Sequence, residues 1–245
     1  MRDEFFTSLT FDFLWEAIGA GELPYPLNVR SHGETRGERS ALRRRAEADL
    51  AARGILDSLV PEWLRMLARP SVSVDALHIP EFRAPTVAAL TASNGGGAVV
   101  AIQNRDGVHL RPIYPEGVVS AIVDLLPVCS RGAESSCTLP MERAMRTSPA
   151  AGDTAPRGRD ADPGDTFARL LAQPRWRGGQ LAANSRDDLG KKRRSPVLAW
   201  FDTATGRYLS LSSRGPDGTE WVTVSPADAR TLRTRLGEML TTVSG

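Results

Sequence analysis

With 245 residues, 41% hydrophobic and 24% charged, the chain has the composition of an ordinary globular protein and the length to bury a substantial core. Its 31 basic and 29 acidic residues leave a net charge of +2, so no overall field points to nucleic acid or to an anionic membrane. No apolar run approaches the roughly 18 residues needed to cross a bilayer, and Asp3 and Glu4 precede only a short apolar stretch. A secretory leader is not expected, and cytoplasmic residence is.

The chain opens with a short strand that turns directly into an amphipathic helix. Phe11, Leu14, Trp15 and Ile18 stand at i, i+3, i+4 and i+7, on one helical face. Thr10 is the expected cap, and Gly19, Gly21 and Pro24 stop the helix. A polar link over 30–38 leads to a helix over 40–53 with Leu42, Ala46 and Leu50 on one side, and a shorter helix covers 59–68. Strand-like runs follow at 72–79, 86–92, 98–103 and 108–114. They are separated by Pro80 and Pro85, by Asn94 with Gly95, Gly96 and Gly97, and by Asp106-Gly107. Pro115 opens a helix carrying Val118, Val119, Ile122, Leu125 and Leu126.

The same order then returns. Residues 136–140 read as a short strand entering a helical turn, and 148–164 as a Pro-, Gly- and Ala-rich linker expected to be mobile. A helix at 165–172 precedes strands at 179–185, 196–202, 207–211 and 221–224. Ser225-Pro226 is the expected start of a last helix running to Leu240. The agreement in element order suggests a degenerate internal repeat, 1–128 and 135–245, within a single domain over 1–245. The fold class expected is α+β: two similar halves sharing one largely antiparallel sheet, flanked by helical bundles.

Candidates for chemistry are few. His32, His78 and His109 stand in separate segments without the i, i+4 or Cys-x-x-Cys spacing of a zinc site, so no metal or cofactor is expected. No Gly-x-Ser-x-Gly elbow anchors a nucleophile. The triple glycine at 95–97 separates strands rather than opening a helix, which favours a hairpin over a phosphate loop. Cys129 and Cys137 could pair by spacing, but read as free thiols in a reducing compartment. Lys191, Lys192, Arg193 and Arg194 form the sharpest basic cluster and fall between two strand runs, where a solvated hairpin loop is expected. Arg43, Arg44 and Arg45 lie on the outer side of a helix. Trp15, Trp63, Trp176, Trp200 and Trp221 are expected in the core, one or two of them available as binding anchors.

Three collinear series carry a family resemblance: Leu14-Trp15-Glu16 with Gly19-x-Gly21-Glu22-Leu23-Pro24, then Trp200-Phe201-Asp202-Thr203-x-x-Gly206-Arg207-Tyr208, then Trp221 through Asp228. In this order, from about residue 6 to 240, the chain resembles the EspG family, chaperones of type VII (ESX) secretion in actinobacteria. The resemblance implies a quasi-symmetric antiparallel sheet with helical bundles, and a cytosolic chaperone that is not an enzyme. It further implies a PE–PPE heterodimer as partner, held by its PPE tip and kept soluble before export. Family contacts involve the sheet and the C-terminal helical bundle. The regional choice of contact residues is therefore Lys191, Lys192, Arg193 and Arg194, with Arg233 and Arg235 of the last helix. No nucleic acid and no membrane insertion are expected, and the free protein is expected to be a monomer or homodimer. The competing readings are a hydrolase using a Ser, His109 and an Asp, and a nucleic-acid binder working through 191–194.

Overall fold

The computed structural model describes residues 3–146 and 162–245. The linker expected at 148–164 therefore falls outside the described residues up to 161. Its last three residues are the cap and first turn of a helix.

The chain starts with β1 (Glu4–Thr7) and α1 (Ser8–Ala17), joined without a loop. Thr7, not Thr10, is the cap: its hydroxyl accepts from the Thr10 N–H at 3.2 Å. Phe11, Leu14 and Trp15 are buried as the helical spacing requires, and the Trp15 indole N–H donates to the Gly21 carbonyl at 2.8 Å. Helix α2 (Arg36–Ala52) begins four residues earlier than its apolar pattern suggests, because Thr35 caps it and Glu38 accepts from the Glu34 N–H. Only Ala46 and Leu50 of α2 are buried; ion pairs from Arg39 to Asp12 and Glu16, and from Arg43 to Glu16, tie it to α1. Helix α3 (Val60–Ala68) completes this first bundle.

A meander follows: β2 (Val72–Ile79), β3 (Val87–Ser93), β4 (Ala98–Gln103) and β5 (Gly107–Ile113), closed by the short helix α4 (Val118–Val123). The second half repeats the order with β6 (Cys137–Pro140), α5 (Met141–Arg146), α6 (Pro163–Ala172), β7 (Arg177–Arg186), β8 (Lys192–Arg194), β9 (Leu198–Thr203), β10 (Gly206–Arg214), β11 (Glu220–Pro226) and α7 (Ala229–Ser244). Three expectations change here. Pro115 opens a 3-10 turn before α4, and Leu125 and Leu126 lie beyond that helix while still packing on the core. Residues 192–194 form a strand, not a loop. Ser225 and Pro226 belong to β11, paired with Leu209 and Tyr208, so Asp228 caps α7 instead.

All the strands join one sheet of order β1-β5-β4-β3-β2-β7-β9-β10-β11-β6, with β8 beside β7 and every neighbouring pair antiparallel. The order is mirrored about the β2–β7 seam, where Val72 faces Ser185 and Ile79 faces Gly178. The expected α+β class, two similar halves on an antiparallel sheet with helices beside it, is what the chain adopts.

Because side chains alternate along a strand, the sheet has two faces with different covers. On one face Val74, Ala76, Leu181, Ala183 and Trp200 pack under α4 and α7, in a core shared by both halves. The other face has two separate cores. Leu90, Ala92, Val99 and Ala101 lie under α1, α2 and α3, whereas Phe201, Tyr208, Val222 and Val224 lie beside α5 and α6. Between these two cores, no helix among the described residues lies over the Leu77–Ile79 end of the second face.

Candidate functional site on the uncovered face of the sheet

The uncovered strip follows from the register of three strands. Leu77 of β2 faces Gln180 of β7, which faces Ala199 of β9; one step along, Ile79 faces Gly178 and then Phe201. In the other direction come Asp75 opposite Ala182, and Ser73 opposite Asn184. Six residue steps from Ser73 to Ile79, at about 3.3 Å each, span about 20 Å. The Leu77–Ile79 end with Gln180 is open, whereas Ser73, Asp75 and Ala182 are buried.

At the Ile79 end lies a cleft of about 620 Å³ whose floor includes Leu77, Ala199 and Phe201. Large apolar side chains stand exposed around it: Phe82 at 66%, Trp176 at 50% and Ile79 at 44%. Phe82 sits in the β2–β3 loop, where the adjacent Arg83 takes a left-handed backbone conformation with φ 65°. Arg83 lies over the Phe82 ring and Arg175 over the Phe201 ring, so guanidinium groups rim the apolar surface. Apolar side chains gathered in one cleft and left in water mark a contact surface more strongly than the same residues scattered singly.

At the Ser73 end is a smaller pocket of about 270 Å³ between Tyr25 and the β7–β8 hairpin. The buried Asp75 carboxylate accepts from both terminal nitrogens of Arg194, at 2.5 and 3.0 Å, and from the Asn184 amide at 2.7 Å. Arg194 also lies over the Tyr25 ring at 5.2 Å. This end is basic: Arg186 and Lys192 join Arg194 in the pocket wall.

The opposite face holds a cluster of buried polar groups. Asp202 and Arg207 form a buried bidentate pair at 2.7 and 2.9 Å, with Arg207 also donating to the Pro127 carbonyl. Arg207 lies over Trp200, whose ring centroid is 6.1 Å from that of His78. The contact is open because Gly179 stands beside His78; a Cβ there would meet the His78 Cβ at 2.5 Å. Burial, with the Arg207 charge beside it, pushes the His78 pKa down to about 4. Neither His78 Nδ1 nor Trp200 Nε1 has a hydrogen-bond partner among the described residues.

His32 is held by Asp12 through its main-chain N–H at 2.7 Å, and His109 is exposed with its ring against Phe5. The two thiols are free, and burial raises the pKa of both, with Asp202 adding to the effect at Cys129. Such thiols are poor nucleophiles. Among the described residues no group of three or more His, Cys, Asp or Glu could hold a metal ion, and no helix is long and apolar enough to cross a membrane.

The residues singled out from sequence divide. Arg194 and Lys192 point to the uncovered face, being opposite Asn184 and Arg186, while Arg193 is opposite Ser185 on the other. Lys191 lies in the turn before β8. Arg233 pairs with Asp124, and Arg235 with Glu238, on α7, the helix that covers the far face. Sequence reasoning missed Tyr25, Phe82 and Arg186, and placed Trp176 with the core tryptophans although half of it is exposed. The available signal was a bulky phenylalanine in a proline-bounded turn, which has no core to enter.

A helix-flanked antiparallel sheet with one face partly bare defines an α+β scaffold. The chain matches the EspG family model over residues 7–238 and belongs to that family. No curated protein sequence matches it. Among solved structures it is similar to the Mycobacterium tuberculosis type VII secretion system chaperone EspG5, determined in complex with the PE25–PPE41 dimer. That likeness has a TM-score of 0.70 at 17% identity, over 98% of this chain and 96% of that one.

Proposed function

We propose that this protein is a cytoplasmic chaperone, without catalytic activity, that binds a PE–PPE-like heterodimer of a type VII secretion system and keeps it soluble before export. The observation that carries this reading is the uncovered strip, with Phe82, Trp176 and Ile79 exposed around one cleft. An apolar tip on a secretion substrate would be withdrawn from water there, and the arginines around the rim would set its orientation. Membership of the EspG family and likeness to a chaperone solved with a PE–PPE dimer support the choice of partner. Lys192 and Arg194 belong to the proposed contact surface; Arg233 and Arg235, across the sheet, do not.

We also propose that 1–128 and 135–245 are the two copies of a duplicated unit within one domain. Support comes from the strand order, which reads alike from either end.

Co-expression with PE/PPE-like proteins encoded beside this gene is expected to give a complex that co-elutes on size exclusion. Phe82→Ser with Trp176→Ser should abolish it while lowering the melting temperature by only a few degrees, because Phe82 is mostly and Trp176 half in water. Absence of any complex at micromolar concentration would remove the reading.

A further inference from the structure

Two cations stand directly opposite each other in the β7–β8 ladder, Arg186 against Lys192. Like charges in that position repel and destabilise the pairing. Neither side chain forms an ion pair among the described residues, although Asp187 and Asp188 stand in the turn between them, and Arg186 Nε is buried without a hydrogen-bond partner. Arg194, the third cation of this wall, is already engaged by Asp75 and Asn184. The wall is thus fixed in place, while two positive groups beside it, in no ion pair among the described residues, line a pocket of about 270 Å³. Ser73 and Asn184 in the same wall add short polar side chains.

We propose that this pocket is a carboxylate subsite, taking an acidic side chain of the bound protein partner between Arg186 and Lys192. The proposal rests on the chaperone reading and names a chemical feature of its substrate. Charge complementarity selects an acidic group, and the pocket's size admits one or two side chains rather than a strand of nucleic acid. Nucleic acid would also require a row of phosphates and stacking platforms along the strip, whereas the far end is an apolar cleft. The apolar anchor and the acidic group on the partner would then lie about 20 Å apart, the distance along β2 from Ile79 to Ser73. In a single helix that separation is about 13 residues.

The test uses the full chain and two probes. Hexaglutamate peptide, titrated calorimetrically at low salt, should bind saturably, and Arg186→Gln with Lys192→Gln should lose that binding without lowering the circular dichroism melt. In the PE/PPE-like complex the same double variant should weaken affinity about tenfold at low salt, and the gap should close at high salt. No saturable binding of hexaglutamate below about 1 mM would overturn the proposal, as would equal binding by the double variant. Tighter binding of inorganic phosphate or a single-stranded oligonucleotide would overturn the carboxylate assignment. If the Phe82 and Trp176 variants abolish the complex while the Arg186 and Lys192 variant leaves it intact, the subsite fails and the chaperone reading stands. If hexaglutamate binds but no PE/PPE-like protein does, the subsite stands and that reading fails.

Discussion

At the residue scale the most constrained groups lie on the covered face, away from the proposed surface. His78 is neutral in the fold because burial penalises its charged form and Arg207 repels a second charge. Its folded pKa of about 4 lies below an unfolded value of about 6.5, so the unfolded chain binds more protons between these limits. Stability is therefore flat above pH 6.5, falls as pH drops from there toward 4, and levels off below. His78→Leu should remove that slope. Denaturant unfolding at pH 7 and pH 4.5 is expected to show the parent losing about 2 kcal/mol more than the variant. Equal losses would exclude His78 as the source. Asp12 and Asp228, whose folded pKa values lie below the usual 3.8, lose their contributions at more acid pH and do not blur this window. The sequence names His78 as a histidine within a strand. Its neutrality follows from Trp200 and Arg207, more than a hundred positions away and brought close only by the β2–β7–β9 register.

Elements were legible where the apolar pattern is local and strong, and misplaced where another interaction outranked the local signal. The strands at 72–79 and 98–103 agree with the sequence reading end to end, because alternation or a continuous apolar run bounded by turn residues leaves little choice. The last helix does not start at Ser225-Pro226, since Ser225 and Pro226 complete the β10–β11 ladder and a paired strand outweighs the preference of proline for a helix start. Asp228 takes the cap: its carboxylate accepts from the Thr231 N–H at 2.7 Å and from the Thr231 hydroxyl at 2.8 Å. Asp228→Ala should cost about 1 kcal/mol, read as a lower denaturant midpoint at unchanged m-value, and Ser225→Ala should cost much less. A larger effect at Ser225 would restore the earlier start. The basic run 191–194 reads as a solvated loop because four consecutive cations match neither period. Its last residue is fixed by Asp75, 119 positions earlier, a pairing invisible to any local window.

At the scale of the whole molecule, the two halves of the sheet share a strand seam and a core. The β2–β7 seam pairs eight residues on each side. Beneath α4 and α7 the first half's Val74, Ala76 and Ile122 share a core with Leu181, Trp200, Leu232 and Leu236 of the second. Separating the halves would expose that core and two long strand edges together. One unfolding transition is accordingly expected, with far-UV circular dichroism and tryptophan fluorescence giving coincident curves. Fluorescence reports on both sides of the seam, through Trp15 and Trp63 on one and Trp200 and Trp221 on the other. Two resolved transitions would mean that the halves fold independently.

The sequence by itself determined the α+β class, the order of elements, their return in the second half and the series that point to the EspG family. Each of these is carried by nearest neighbours in the chain, through apolar period, turn residues and caps. Tertiary structure decided which part of the sheet stays bare, that Phe82 and Trp176 share one cleft, and that Arg186 and Lys192 oppose each other. Those facts depend on strand register and on which helix covers which strand. A sequence read in local windows encodes neither, because both are settled only when residues a hundred or more positions apart compete to leave water.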